Sequence, residues 1–196
     1  MVKHRYDFDG GTVALDFVNT VSGMRGFEPR EHLLGWEELV DWARQAGLIP
    51  ARSHPRMIAG ALQQALRIRE ALHDVVVAAV DKRDAPAEAL AEVTRWIADA
   101  LAHRRLLPAG KGRYQMQFDR DDNPLAFLRP VALDAAELLE RDLAGGLVRI
   151  CEERALGRCG WIFLDQTKNH SRRFCSMKEC GNRAKQRRFQ QRKRML

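Results

Sequence analysis

The sequence predicts an α+β fold in two parts. Residues 1–148 read as a mainly helical N-terminal domain with a small β-sheet, and residues 149–196 as a small four-cysteine unit ending in a basic helix. Three observations carry this reading. Apolar residues recur at three- and four-residue steps through most of the first part. A short segment, residues 113–118, alternates apolar and polar residues instead. All four cysteines, and all of the excess positive charge, fall in the last 48 residues.

The first helix with a clear period spans 31–46, with Leu33, Leu34, Trp36, Leu39, Val40 and Trp42 as core candidates and Gly47 as its stop. A second covers 57–80, where Ile58, Leu62, Ala65, Leu66, Leu72, Val75, Val76 and Val80 form the stripe. Ser53 is its N-cap candidate, with Pro55 in the first turn. A third covers 86–103, carrying Leu90, Val93, Trp96, Ile97 and Leu101, and a fourth 130–143. Tyr114, Met116 and Phe118 alternate with polar neighbours in a half-buried strand, which residues 104–107 can pair with across a turn at 108–112. Residues 6–8 are a further strand candidate.

Composition excludes several classes. At 45% hydrophobic residues the chain is too apolar for a disordered protein, and with 14 Gly and 7 Pro it is not collagen-like. Its longest apolar runs fall short of the roughly 20 residues that a bilayer demands. The N-terminal MVKHRYDFDGG has no apolar core of a secretory signal, so a cytoplasmic protein is expected.

The formal charge of +7 is unevenly distributed: residues 149–196 hold 14 Lys and Arg against 4 acids, or +10, which leaves residues 1–148 at −3. In the acidic part, Asp16, Asn19 and Thr20 are the polar residues of a GGTVALDFVNT segment and the candidate ligand-binding set. Their alternative role is a cap-and-turn cluster that anchors the start of the fold. Gly10-Gly11 lacks the further glycine or Lys-Ser/Thr of a phosphate loop. His4, His32, His54, His73 and His103 are scattered, and no residue set argues for catalysis.

The cysteines are spaced C-x7-C-x15-C-x4-C at Cys151, Cys159, Cys175 and Cys180. In a reducing compartment four thiols in 30 residues point to a metal rather than to disulfides, and a closed set of four thiolates suits structural zinc. Residues 160–164 read as a strand, 167–171 as a turn and 172–174 as the return strand of a treble-clef-like or ribbon-like finger, with Cys180 opening the final helix. After Cys180 the chain carries seven Lys or Arg and no acid. Such a helix has almost no apolar stripe, and duplex DNA is its natural counterpart. Arg187, Arg188, Arg192, Lys193 and Arg194, joined by Arg172 and Arg173, are the phosphate-contact candidates. Asn182, Arg183 and Lys185 are the candidates for reading bases. The alternatives are an RNA-binding or ribosome-associated zinc module, and a small-molecule-binding or enzymatic N-terminal domain to which the finger is an appendage.

The stretches Cys159-Gly-Trp-Ile-Phe-Leu-Asp165, Ser171-Arg-Arg-Phe-Cys-Ser-Met177 and Cys180-Gly-Asn-Arg-Ala-Lys185 together resemble the CGNR zinc finger family. The segment Gly10-Gly-Thr-Val-Ala-Leu-Asp-Phe-Val-Asn-Thr20 resembles the opening of the ABATE domain that precedes this finger. The resemblance implies a bacterial stress-related transcription regulator whose finger binds double-stranded DNA, with zinc held by Cys151, Cys159, Cys175 and Cys180. The family's first two cysteines stand closer together than Cys151 and Cys159 do. A small-molecule effector and a homodimer are the further partners that such an N-terminal domain could serve.

Overall fold

The computed structural model describes residues 6–194. His4 and the last two positions of the basic tail lie outside them. Thr12 opens the first helix: its backbone is extended and its hydroxyl accepts from the Leu15 N–H, capping α1 (Val13–Val18). The helix is short but almost entirely buried, and it packs on two longer helices, α3 (Ala61–Val80) and α5 (Arg129–Glu137). Between α1 and α3 lies α2 (Trp36–Gln45); between α3 and α5 lies α4 (Ala87–Ala102), which packs on both. Phe17 of α1 stacks at 5.1 Å on Trp42 of α2 and at 6.4 Å on Trp96 of α4, so one aromatic ring ties three helices. Among the described residues no helix is long and apolar enough to cross a membrane.

The strands form small antiparallel pairs rather than one sheet. β1 (Val21–Ser22) pairs with β2 (Arg30–Glu31), β3 (Arg104–Pro108) with β4 (Tyr114–Phe118), and β5 (Val148–Ile150) with β6 (Ile162–Leu164). The fold is α+β, with about half of the chain helical and the four cysteines gathered in the C-terminal region.

Several boundaries differ from the sequence expectation, each for a tertiary reason. The helix expected from residue 57 starts at Ala61, because Gly60 sits at φ 84° and residues 53–55 are pinned as a loop. Trp36 donates its indole N–H to the Pro55 carbonyl, and Arg44 donates to that of Ser53. The helix expected from residue 31 starts at Trp36, since Arg30 and Glu31 are used in a strand. The fourth helix runs as α5 only to Glu137 and continues as a π-helical turn, Leu138–Asp142. Leu90 and Leu101 are exposed, because the apolar stripe of α4 is wider than the face its neighbours cover. Residues 6–8 form no strand; the Tyr6 hydroxyl instead donates to the Glu38 carbonyl. The expected pairing of β3 with β4 is present, with Pro108 in the strand rather than in the turn, but the hairpin is exposed rather than half-buried.

The largest departure concerns β6. Its hairpin partner is the preceding β5, not residues 172–174. Asp165 explains this: its carboxylate accepts from the Thr167 N–H and hydroxyl and from the Arg172 N–H, so the chain curls around one buried acid instead of returning as a strand. The free edge of β6 is satisfied by the N-terminal segment. The Asn19 side-chain amide donates to the Ile162 carbonyl at 2.7 Å, and the Ile162 N–H donates back to Asn19 Oδ1 at 3.0 Å. The Leu164 N–H donates to the Gly10 carbonyl at 2.7 Å. β6 thus lies between a true strand and a side chain that imitates one.

Replacing Asn19 by Ala should leave both backbone groups of Ile162 buried and unpaired, at a cost of about 3 kcal/mol. Asn169→Ala, at an exposed site, should stay within about 0.5 kcal/mol of the parent. Equal midpoints for the two variants in urea unfolding would refute the role given to Asn19.

Candidate metal centre and nucleic-acid interface

Two loops bring the cysteines together. Cys151 follows β5, and its N–H donates to the Trp161 carbonyl, so the hairpin ladder itself aims it. A 3₁₀ turn, Glu152–Leu156, then takes up the long spacing, and Gly157 at φ 66° reverses the chain toward Cys159. On the other side Cys175 follows Phe174, and Cys180 lies in a π-helical turn, Met177–Gly181, that leads into α6 (Asn182–Arg194). Cys180 therefore stands two residues before α6, in the π-helical turn that runs directly into it.

All four thiols are buried, and the four Sγ atoms lie within 4.8 Å of one another. Cys159 and Cys175 are 3.7 Å apart and Cys175 and Cys180 3.5 Å. Four sulfurs about 2.3 Å from a central zinc stand roughly 3.8 Å apart on the edges of a tetrahedron, so the donor set fits that ion in type, number and spacing. Crowding splits the protonation of the four. The contact with Cys159 pulls the Cys151 thiol far below its usual value, and the same contact pushes Cys159 up. Cys175 is pushed up by Cys151 first. Four thiolates packed this closely repel one another, and a bound cation would offset that charge.

The surrounding shell is cationic. Arg183 donates through Nη2 to Cys180 Sγ at 3.0 Å. Arg172 stacks 4.3 Å from the Phe163 ring centroid and donates to the carbonyls of Phe174, Asp9 and Cys175. These are the contacts that orient and electrostatically balance a thiolate cluster. Arg172 and Arg183, expected at a nucleic-acid surface, thus have their guanidinium groups turned to the cysteine cluster.

The other basic candidates divide in the same manner. Arg187 makes a two-pronged pair with Glu153, whose side chain is only 1% exposed, at 2.7 and 3.0 Å. Arg173 pairs with Glu152. Asn182 donates to the Lys178 carbonyl. Lys185, Arg188, Arg192, Lys193 and Arg194 are exposed with no ion pair among the described residues. Asn182, Lys185, Phe189 and Lys193 recur at three- and four-residue steps on the side of α6 opposite buried Ala184, and the Lys193 ammonium lies 5.0 Å over the Phe189 ring. Sequence reasoning passed over Glu153 and Asp165, although acids are so scarce in this segment that each one signals a structural task.

At the N-terminal candidate site the structure brings Asp16, Asn19 and Thr20 together, around a cavity of about 30 Å³ that also touches Tyr6, Asp7, His32 and Trp161. That space suits a water molecule rather than a metabolite. Each side chain has a partner in the fold. Asn19 holds Ile162; Thr20 donates to the Phe17 carbonyl and accepts from Arg69; Asp16 accepts from the Gly10 N–H at 2.8 Å. His32 bonds to Ser22, His54 to Arg44, His73 to Asp74, His103 to the Asp99 carbonyl and His170 to the Asp165 carbonyl, each on a different part of the fold.

Burial pushes the Asp16 carboxyl up from 3.8 to about 7; the Gly10 N–H works against this, and Asp9 and Asp134 add to it. A carboxyl with a raised folded pKa binds more protons folded than unfolded. It therefore removes stability as pH climbs from about 4 to about 7, and the loss is complete above that. Asp16→Asn keeps the acceptor for Gly10 and cannot ionise. Its stability relative to the parent should rise between acid and mildly alkaline pH in paired thermal melts, and a pH-independent difference would count against a buried, protonated Asp16.

Two family models match the chain in order. The ABATE model, described as a putative stress-induced transcription regulator, covers residues 11–142, and the CGNR zinc finger covers residues 148–193. No curated protein matches the chain. Neither family is an enzymatic one, and a CGNR finger with its four cysteines close together fits a structural zinc. The chain belongs to the ABATE family and carries a CGNR zinc finger at its C-terminal end.

Proposed function

We propose that this protein is a zinc-dependent, DNA-binding transcription regulator, with residues 1–148 as its body and residues 149–196 as its DNA-binding finger. Cys151, Cys159, Cys175 and Cys180 hold one zinc, which orders the finger by replacing four competing thiols with a single closed centre. The observation that carries the reading is how α6 is mounted. Its root is fixed by Cys180, by buried Ala184 and by the Arg187–Glu153 pair, while Lys185, Arg188, Arg192, Lys193 and Arg194 stay free. A helix anchored on one side and cationic on the other suits a groove lined by phosphates. On this reading Asn182 and Lys185, early on the outer face, are the candidates to read base edges, and the later cations those to hold phosphates.

A stress or ligand response through the body would, on this reading, use a cleft of about 970 Å³ that touches both parts, with Arg30, Ser22 and His32 on one wall and Arg158, Trp161 and Lys178 on the other. An effector seated there contacts the finger and the body at once.

The purified protein should contain about one zinc per chain, and chelation should lower its melting temperature. Absence of metal with four freely reactive thiols in the folded protein would overturn the zinc assignment. For duplex DNA, Arg188→Ala and Arg192→Ala should each weaken binding and reduce the log–log salt slope by about 1 without changing thermal stability. Arg187→Ala should instead destabilise the fold by about 3 kcal/mol, because it strands the buried Glu153 carboxylate. Duplex binding that survives deletion of residues 183–196 unchanged would show that α6 is not the contact surface, and tighter binding to structured RNA at matched salt would decide against DNA.

A further inference from the structure

The β3–β4 hairpin is the part of the fold with the least support. Its strands pair only with each other, and every residue in them is exposed except Phe118, which packs on the core. The phase of the ladder follows from two bonds at its ends: the Asp119 N–H donates to the His103 carbonyl, and the Ala109 N–H to that of Arg113. The closely bonded pairs are therefore Arg105–Gln117 and Leu107–Gln115. The N–H and C=O groups of Tyr114, Met116 and Phe118 point away from β3, toward the open edge of β4. Side chains alternate with the pleat, so Leu106, Pro108, Tyr114 and Met116 share one face. On that face Leu106 is 62%, Tyr114 66% and Met116 45% exposed.

The two edges are not alike. β3 begins with Arg104 and Arg105 and ends in Pro108, the charge and proline that keep an edge from pairing. β4 reads Tyr-Gln-Met-Gln-Phe, with neither a charge nor a proline. It is also nearly palindromic about Met116. We propose that β4 pairs antiparallel with β4 of a second copy, about a two-fold axis at Met116, giving a four-stranded sheet in the order β3–β4–β4–β3.

The register about that axis matches chemistry at every position. Tyr114 stands opposite the partner's Phe118, Gln115 opposite the partner's Gln117, and Met116 opposite its own equivalent. One step further, Arg113 faces the partner's Asp119. The Arg113 side chain has no ion pair within its own chain among the described residues, so the second copy supplies its missing charge partner. Asp119 is held in place by Arg105 at 3.1 Å. Centring on Met116 also places the outward backbone groups of Tyr114, Met116 and Phe118 in the closely bonded pairs, so all of them are satisfied. The alternative pairing, β3 with β3, is worse in either register: centred on Leu106 it needs the N–H that Pro108 lacks, and centred on Arg105 it sets arginine against arginine. An isologous contact of this kind closes at two copies.

Sedimentation of the full-length, zinc-loaded protein should show a dimer at micromolar concentrations. Met116→Lys places two ammonium groups at the axis and should weaken the dimer on the order of 100-fold or more, with the monomer's circular dichroism unchanged. Closely bonded residues have Cα atoms about 5.5 Å apart, within disulfide reach, so Met116→Cys should cross-link two chains under mild oxidation. Leu106→Cys, one strand further from the axis, should not. Arg113→Asp should loosen the dimer, and adding Asp119→Arg should restore it. A monomeric wild type throughout this range, a dimer that tolerates Met116→Lys, or equal cross-linking through Leu106→Cys and Met116→Cys would each overturn the proposal.

Discussion

The double hydrogen bond between the Asn19 carboxamide and the backbone of Ile162 is the join on which the rest of the structure depends. β6 is three residues long and fully buried, and its residues serve two interiors by simple alternation. Ile162 and Leu164 belong to the core of the helical body, while Phe163 belongs to a second cluster with the four cysteines, Phe174 and Ala184. A strand used on both faces and both edges cannot leave a backbone group open, and the body closes the second edge with Asn19 and the Gly10 carbonyl. The polar residues of the N-terminal motif are thereby part of the seat on which the finger is mounted. Gly11 shows how tight that seat is: a Cβ there would approach the Leu164 Cβ at 3.2 Å, at a φ of 90°.

Electrostatics organise the finger in the same economical manner. A segment of +10 with a cluster of four thiols at its centre must divide its arginines between holding itself together and facing outward. The scarce acids make that division. Glu152 takes Arg173, Glu153 takes Arg187, and Asp165 organises the loop that leads to Arg172, with Arg149 at 3.5 Å. The guanidinium groups of Arg172 and Arg183 are drawn to the sulfur cluster and its carbonyls. What remains without an ion pair or hydrogen-bond partner among the described residues is Lys185, Arg188, Arg192, Lys193 and Arg194 on α6, with Arg158, Lys168 and Lys178 outside it, so the cationic surface is narrower than the charge count suggests. A self-paired β4 would put two such surfaces on one assembly, joined through the bodies rather than through the fingers.

The helical body was legible where burial follows period. α3, α4 and the second half of α2 lie where three- and four-residue spacing puts them, and the pairing of β3 with β4 follows from alternation around a turn. Helix starts were less legible, because they depend on contacts from elsewhere. Trp36 and Arg44 hold the chain at residues 53–55, and no local pattern announces that. The exposure of Leu90, Leu101 and the β3–β4 face was hidden for a related reason: period shows which residues share a face, not whether anything covers it. The long Cys151–Cys159 spacing is accommodated by a 3₁₀ turn and one positive-φ glycine.

By itself, the sequence determined the α+β class, the gathering of charge and cysteines at one end, the four-thiol chemistry and the basic final helix. All of these are properties of composition and near-neighbour spacing. Only the tertiary structure decided that β6 pairs backward with β5, that Asn19 stands in for a missing strand, and which arginines bind sulfur, carboxylate or solvent. Those outcomes turn on partners as many as 143 positions apart in the chain, where a hydrogen bond or an ion pair is chosen by geometry after burial rather than by the identity of adjacent residues.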